Sequence, residues 1–282
     1  MSVVLLSGHE VAEALAAELA AELATLPYIP KLAFVRVGED PASVAYVRGK
    51  NRLAQRLGLA TELHALPEAT SQAELMALIA QLNTDPAVDG ILVQLPLPPR
   101  LNSQPLLEAI DPAKDVDGFH PVNVGRLWSG QPTLVPCTPA GLIRILDHYR
   151  LPIEGRHAVI IGRSNLVGKP AAALFLRRHA TVTLAHSRTR GLDSLAKQAD
   201  ILVAAIGKAG FVKPAMVKPG ATVLDVGISR LEGRLVGDVD PEVATVAAYL
   251  TPMPGGTGPM TVAMLMRNTL DAAQARRRDR HD

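Results

Sequence analysis

Aromatic side chains make up only 3% of this sequence, and a single cysteine, Cys137, occurs among its 282 residues. One cysteine excludes an intrachain disulfide, and a reducing compartment is the simplest reading. No uninterrupted apolar run approaches the roughly 20 residues that a membrane-spanning helix needs. The opening MSVVLLSGHE lacks the basic start and long apolar core of a secretory signal, so a cytoplasmic protein with no membrane partner is expected. An excess of one charge is also missing. The formal net charge is +2, too small to argue for a nucleic-acid or acidic partner. The basic end, Arg276-Arg277-Arg278 with Arg280, is expected to finish a helix, complement its dipole and fray into solvent. The eight histidines, among them His120, His148 and His186, show no paired metal-ligand spacing, and no cysteine cluster accompanies them. No metal is expected, and no nucleophile motif supports a Ser/His/Asp triad.

What is plentiful is aliphatic, as suits a layered α/β protein, and the length allows one large or two modest domains. The first hundred residues alternate between helix and strand patterns. Helices are expected at 11–26, 41–57, 72–82 and 104–110, and strands at 31–37, 61–66 and 89–95. Asp40 and Pro41 mark one helix start, an N-cap followed by proline in the first turn. Such alternation predicts a mostly parallel sheet covered by helices on both faces. The Pro/Gly-rich stretch 111–139 reads as a hinge without a convincing long helix or strand. A second alternating series follows, with strands at 158–161, 180–185, 201–206 and 222–226. The loop 252–259 then leads to a last helix at 262–275.

The segment AVIIGRSNLVGKP, 158–170, is the most informative. A strand ending on Gly162 before a helix at 169–178 offers backbone N–H groups and a positive dipole end to a phosphate. Five residues separate Gly162 from Gly168, and Pro170 follows Lys169, so this is no Walker loop. Leu166 rules out a G-x-S-x-G elbow, and Ser164 takes the place of the second glycine of GxGxxG. An ordinary strand–turn–helix corner remains the alternative. The next strand ends in His186, Ser187 and Arg188, with no carboxylate to hold a ribose 2′-hydroxyl. With Arg163 nearby, the pocket suits a 2′-phosphate, meaning NADP rather than NAD.

Four polar residues could converge on a cleft between two α/β halves. Tyr46 and Lys50 lie four apart on one helix face. Gln94 stands near the C-terminal end of a strand, where ligands bind in open sheets. Asp117 lies in the hinge. Each also has an ordinary structural reading: an exposed helical Lys, a core-edge Tyr, a Gln satisfying backbone, an Asp before glycine in a turn. The run Pro254-Gly255-Gly256-Thr257-Gly258-Pro259 reads as a shaped turn that a ligand can approach closely, or as a purely structural one.

Taken together, PASVAYVRGK (41–50), GILVQLPLP (90–98), DPAKDVDGFHP (111–121), PCTPAG (136–141), IGRSNLVGKP (161–170), LDVGI (224–228) and PMPGGTGPMT (252–261) carry a resemblance over nearly the whole chain. The sequence closely resembles the bifunctional methylenetetrahydrofolate dehydrogenase/cyclohydrolase family. The resemblance implies two α/β domains with a cleft between them. One is a folate-binding catalytic domain, 1–119 plus 261–282; the other is a Rossmann-type NADP-binding domain, 120–260. It implies oxidation of 5,10-methylenetetrahydrofolate and hydrolysis of the methenyl product to 10-formyltetrahydrofolate, in one-carbon metabolism and purine biosynthesis, by a homodimer. Position by position it makes Lys50 the catalytic lysine, with Tyr46, Gln94 and Asp117 its partners around folate. Gly162, Arg163, Ser164, Ser187 and Ile228 match NADP contacts, and Pro254, Gly255, Gly256, Gly258 and Pro259 match a loop lining the folate site.

Two positions depart from expectation. Thr257 stands where the family usually has valine, adding a hydroxyl. Gly49 puts a poor helix former beside Lys50, at a typical cost of ~1 kcal/mol relative to alanine. A dehydrogenase without useful hydrolysis and a non-catalytic nucleotide-binding module are the alternative readings.

Overall fold

A computed structural model describes residues 2–278 of the protein. The chain forms two compact units, Leu15–Cys137 with Val262–Asp282, and Met1–Ala14 with Thr138–Thr261.

The first unit is built on a parallel three-stranded sheet in which Lys31–Val37 lies between Ala60–Leu66 and Gly90–Val93. Every residue of the central strand after Lys31 is buried, which is why it reads as a nearly unbroken apolar run. On one face Ala33, Val35 and Val37 pack with Ile91, Val93, Leu75, Ile79 and Leu82. The Gln72–Thr84 helix starts with a complete capping box, Ser71 and Glu74 exchanging bonds to each other's backbone N–H. The Pro41–Arg56 helix begins where the Asp40 carboxylate accepts from the Ser43 N–H at 2.8 Å.

The last helix, Thr257–Arg278, is longer than expected at both ends. Its start lies five residues before Val262 because Pro259, in the first turn, gives up only an N–H that has no intrahelical acceptor. At its other end Arg276 and Arg277 do not fray, while Arg278 is exposed as expected. Arg276 donates to the Val88 carbonyl, and both Arg276 and Arg277 reach the buried carboxylate of Asp89. Arg277 also lies over the Tyr28 ring, 3.7 Å from its centroid. A buried carboxylate left unpaired would be costly, and the two guanidiniums together with the Lys31 N–H satisfy it. Arg280 lies outside the described residues.

The stretch 111–139 is more ordered than its composition suggests. It holds a helix, Pro121–Trp128, whose N-terminus is capped by His120 Nδ1 accepting from the Val122 N–H, with Pro121 at the first position. Cys137 opens a further helix, Cys137–His148.

The second unit carries a six-stranded parallel sheet. In spatial order its strands are Val4–Leu5, Tyr249–Leu250, Thr222–Asp225, Ile201–Ala204, His157–Ile161 and Thr181–Ala185. The chain leaves His157–Ile161 toward one edge and returns on its other side at Ile201–Ala204. The strand order therefore reverses between these two strands, the position at which open α/β sheets bind ligands. Val159, Ile161, Leu202, Ala204, Val223 and Leu250 share a core on one face of this sheet. A short antiparallel hairpin, Ser229–Leu231 with Arg234–Val236, stands apart from it.

Candidate functional site

The Asp40 cap sets the rotation of the Pro41–Arg56 helix. Ser43, Val47 and Ala54 turn inward, and Tyr46 and Lys50 share the flank beside them. Tyr46 is 47% exposed and Lys50 half-buried. The Lys50 ammonium donates to Gln94 Oε1 at 3.0 Å. Gln94 is itself buried, one residue past the Gly90–Val93 strand, and its N–H continues the ladder to the Val35 carbonyl at 2.8 Å. Its amide N–H₂ donates to the Leu95 carbonyl, which leaves Oε1 as the end that faces the lysine. A neutral acceptor therefore orients the amine without adding a charge.

Asp117 belongs to the same unit, in a turn held from several sides. The buried Asp115 carboxylate accepts from the N–H groups of Gly118 and His120 and from Asn123 Nδ2. The buried Lys114 ammonium donates its three protons to the carbonyls of Leu82, Asn83 and Asp85, at 2.7–2.8 Å. The Val116 carbonyl accepts from Asn268 Nδ2 at 2.8 Å and from the Cys137 thiol. Within this frame the part-buried Asp117 carboxyl is pushed up to about 6. Burial is the main cause; the Lys50 charge pulls the other way and Asp115 adds to the rise. Lys50 and Gln94 are thus in direct contact, and Asp117 lies within electrostatic reach of Lys50. Burial keeps the Cys137 thiol well above its ordinary range, so it is a neutral hydrogen-bond donor here.

Lys114, Asp115 and Asn268 were not singled out by sequence reasoning, and Cys137 was read only for the disulfide it excludes. Lys114 and Asp115 carried a signal, because three charges within four residues of one short turn must be paired if the turn is buried. Asn268 carried none, since its partners are distant in sequence.

The proposed nucleotide residues lie in the other unit. At Gly162 a Cβ would stand 2.2 Å from the Ala205 carbonyl oxygen, and at Gly168 it would stand 2.1 Å from that of Gly162. Strand end, neighbouring strand and helix start are therefore packed at a distance only glycine permits. Ser164 Oγ accepts from the N–H groups of Val167 and Gly168 at 3.1 and 3.3 Å, standing in for the missing N-cap of the Gly168–Arg177 helix. Arg163, Ser164, Ser187, Arg188 and Ile228 are exposed. In the 186–189 turn Thr189 Oγ1 accepts from the His186 N–H and His186 Nδ1 from the Arg188 N–H. That turn presents a hydroxyl and a guanidinium and no carboxylate. The glycine cradle and this donor set fit a dinucleotide carrying a 2′-phosphate.

In the run 254–259, Gly255 has a φ of +102° and the Met253–Pro254 peptide is cis. Gly8 N–H donates to the Gly255 carbonyl, and a Cβ on Gly8 would sit 1.6 Å from the Gly256 oxygen. The extra hydroxyl of Thr257 is accommodated, since it donates to the Asp225 carbonyl at 3.2 Å. Among the described residues no group of three or more His, Cys, Asp or Glu could hold a metal ion, and no helix is long and apolar enough to cross a membrane.

Residues 6–117 match the tetrahydrofolate dehydrogenase/cyclohydrolase catalytic domain, and residues 136–277 match the NAD(P)-binding domain of the same family. The chain is 58% identical over 279 residues to the bifunctional protein FolD of Acidiphilium cryptum, covering 98% of this chain and 100% of the relative. A crystal structure of the bifunctional FolD enzyme from Campylobacter jejuni superposes with a TM-score of 0.94 at 44% identity, over 98% of this chain and 100% of that one. The Trypanosoma brucei methylenetetrahydrofolate dehydrogenase-cyclohydrolase, solved with NADP cofactor and inhibitor, gives a TM-score of 0.92 at 37% identity, over 99% of each chain.

Proposed function

Because the chain belongs to the tetrahydrofolate dehydrogenase/cyclohydrolase family, we propose that it oxidises 5,10-methylenetetrahydrofolate with NADP and hydrolyses the methenyl product to 10-formyltetrahydrofolate. The observation that carries the hydrolytic half is the Lys50–Gln94 contact inside the segment matching the catalytic domain.

NADP, when bound, supplies the hydride acceptor. For it we assign Gly162, Arg163, Ser164, Ser187 and Ile228, with the two arginines and the serine hydroxyl at 163, 188 and 187 favouring a phosphorylated ribose. The carbon that loses hydride is flanked by two nitrogens whose lone pairs stabilise the resulting cation, so the protein's task is alignment more than acid–base work.

Hydrolysis needs more. A water oxygen bonds to the methenyl carbon as its proton passes to the Lys50 amine, which must present a lone pair at that moment. The adduct's hydroxyl proton then moves to N5 as the C–N5 bond breaks, leaving the formyl group on N10. Gln94 orients the amine. Asp117, as the carboxylate, accepts from the N–H groups of the pterin, and Tyr46 packs against the folate. Pro254, Gly255, Gly256, Gly258 and Pro259 are assigned further folate contacts. The catalytic role is assigned to 1–119 with 261–282 and the cofactor role to 120–260. A cytoplasmic homodimer serving one-carbon metabolism and purine biosynthesis, without nucleic-acid or membrane partners, completes the reading.

Ultraviolet spectroscopy of the purified protein with methylenetetrahydrofolate and either NADP or NAD tests it. Expected are NADPH formation, preference for NADP, and loss of the methenyl chromophore faster than in an enzyme-free control. Persistent methenyl product would remove the hydrolytic half, and no turnover with either cofactor would overturn the whole reading.

A further inference from the structure

In the unit with the six-stranded sheet two buried aspartates tie three loops together. Asp238 is fully buried, and its carboxylate accepts from three consecutive N–H groups: Ile206 at 2.7 Å, Gly207 at 3.0 Å and Lys208 at 2.6 Å. Asp225, 2% exposed, accepts from the N–H groups of Gly227, Asp238 and Val239 at 2.9–3.2 Å. Each carboxylate occupies the space a side chain would take on the other's loop. A Cβ on Gly227 would lie 2.0 Å from the Asp238 carboxyl carbon, and one on Gly237 would lie 1.8 Å from Asp225 Oδ2. Neither acid pairs with a cation within this lock; six backbone N–H groups satisfy both.

Two of these loops follow neighbouring strands of the sheet at their C-terminal ends. The 206–208 turn follows Ile201–Ala204, whose neighbour across the order reversal is His157–Ile161, and the peptide whose Ile206 N–H Asp238 holds carries, on its other side, the Ala205 carbonyl against which Gly162 packs. The 226–228 turn ends the next strand and carries the exposed Ile228. Three adjacent N–H groups gripped by one carboxylate leave the 206–208 turn little freedom, and an isosteric amide would turn an N–H₂ toward one of those donors.

We propose that Asp238, seated by Asp225 and by the absence of a side chain at Gly227, is a positioning residue for the dinucleotide site: it sets the 206–208 backbone beside Gly162 and thereby governs cofactor affinity without taking part in hydrolysis. This rests on the reading of the unit as the NADP site.

The test separates the two half-reactions in the full chain. Asp238→Asn is expected to weaken NADP binding tenfold or more by titration calorimetry. The KM for NADP should rise in step, while hydrolysis of methenyltetrahydrofolate assayed without NADP stays within twofold of the parent. Gly227→Ala keeps both carboxylates but unseats Asp238, and should give the same split; it carries the test if the first variant does not fold. NADP binding within twofold of the parent in a folded variant overturns the proposal. So does a matched loss of hydrolysis and cofactor binding, which would mean a general structural role. Failure of the parent itself to bind NADP would instead overturn the cofactor reading.

Discussion

At the scale of single residues, Asp117 shows how a buried carboxyl works against stability. Its carboxyl is held near 6 chiefly by burial, whereas in the unfolded chain it would titrate near ~3.9. The native state therefore holds a proton that the unfolded state has lost between those two pH values. Above pH 6 the ionised group lowers native stability by on the order of 1–3 kcal/mol, after allowing for its contact with solvent. Asp117→Asn should raise the thermal midpoint by a few degrees at pH 7–8, with the gain disappearing as pH falls through 6 toward 4. The same carboxylate is assigned to folate, so the KM for the folate substrate should climb below pH 6 in the parent and lose that dependence in the variant. A pH-independent stability difference would detach the effect from this titration. Lys50→Met makes the complementary case. Hydrolysis should fall by at least a hundredfold while NADP binding measured by calorimetry is preserved, and substantial cyclohydrolase activity would take the lysine out of the mechanism.

At the scale of elements, legibility followed the strength of the local pattern. Lys31–Val37 was readable because a strand buried on both faces is a nearly unbroken apolar run, interrupted here only by Arg36, and the Pro41–Arg56 helix because Asp40 and Pro41 announce its start. The hairpin 229–236 was not. Its tight turn places Glu232 and Gly233 at φ values of +50° and +78°, a conformation usually signalled by Asn-Gly or Asp-Gly, and glutamate hides it. The helix Pro121–Trp128 was obscured by the proline that in fact starts it. Two-residue strands such as Val4–Leu5 and Tyr249–Leu250 are too short to show any period; long-range pairing creates them. The Pro41–Arg56 helix also offers a local experiment. A Cβ at Gly49 would meet nothing within 4 Å, so Gly49→Ala should stabilise the chain by ~0.5–1 kcal/mol through reduced unfolded-state entropy. A lower thermal midpoint would show that the helix needs glycine there for a reason other than space.

At the scale of the whole molecule, the residues assigned to hydrolysis and those assigned to the cofactor fall in different compact units, so a change in one property need not carry the other with it. Ser187→Asp places a carboxylate where the exposed hydroxyl faces a proposed 2′-phosphate. It should weaken NADP at least tenfold and narrow its advantage over NAD, with hydrolysis assayed without cofactor left intact. Unchanged discrimination would relocate the pocket. The candidate site was legible to the extent that its polar residues sat at positions of known meaning: a strand end, a helix flank four residues apart, a glycine corner. Its supporting frame was hidden, because Asn268 reaches Val116 across 152 positions of sequence and no local pattern encodes such a bond.

The outermost strand of the nucleotide unit has a consequence for how this protein is made. Val4–Leu5 pairs with Tyr249–Leu250, so this strand leaves the ribosome well over two hundred residues ahead of the partner it needs. At typical elongation rates that wait lasts roughly 12–50 seconds, during which two apolar residues have no strand to join. The three strands of the other unit's sheet all lie between Lys31 and Val93, so that sheet can pair long before the larger one gains its edge.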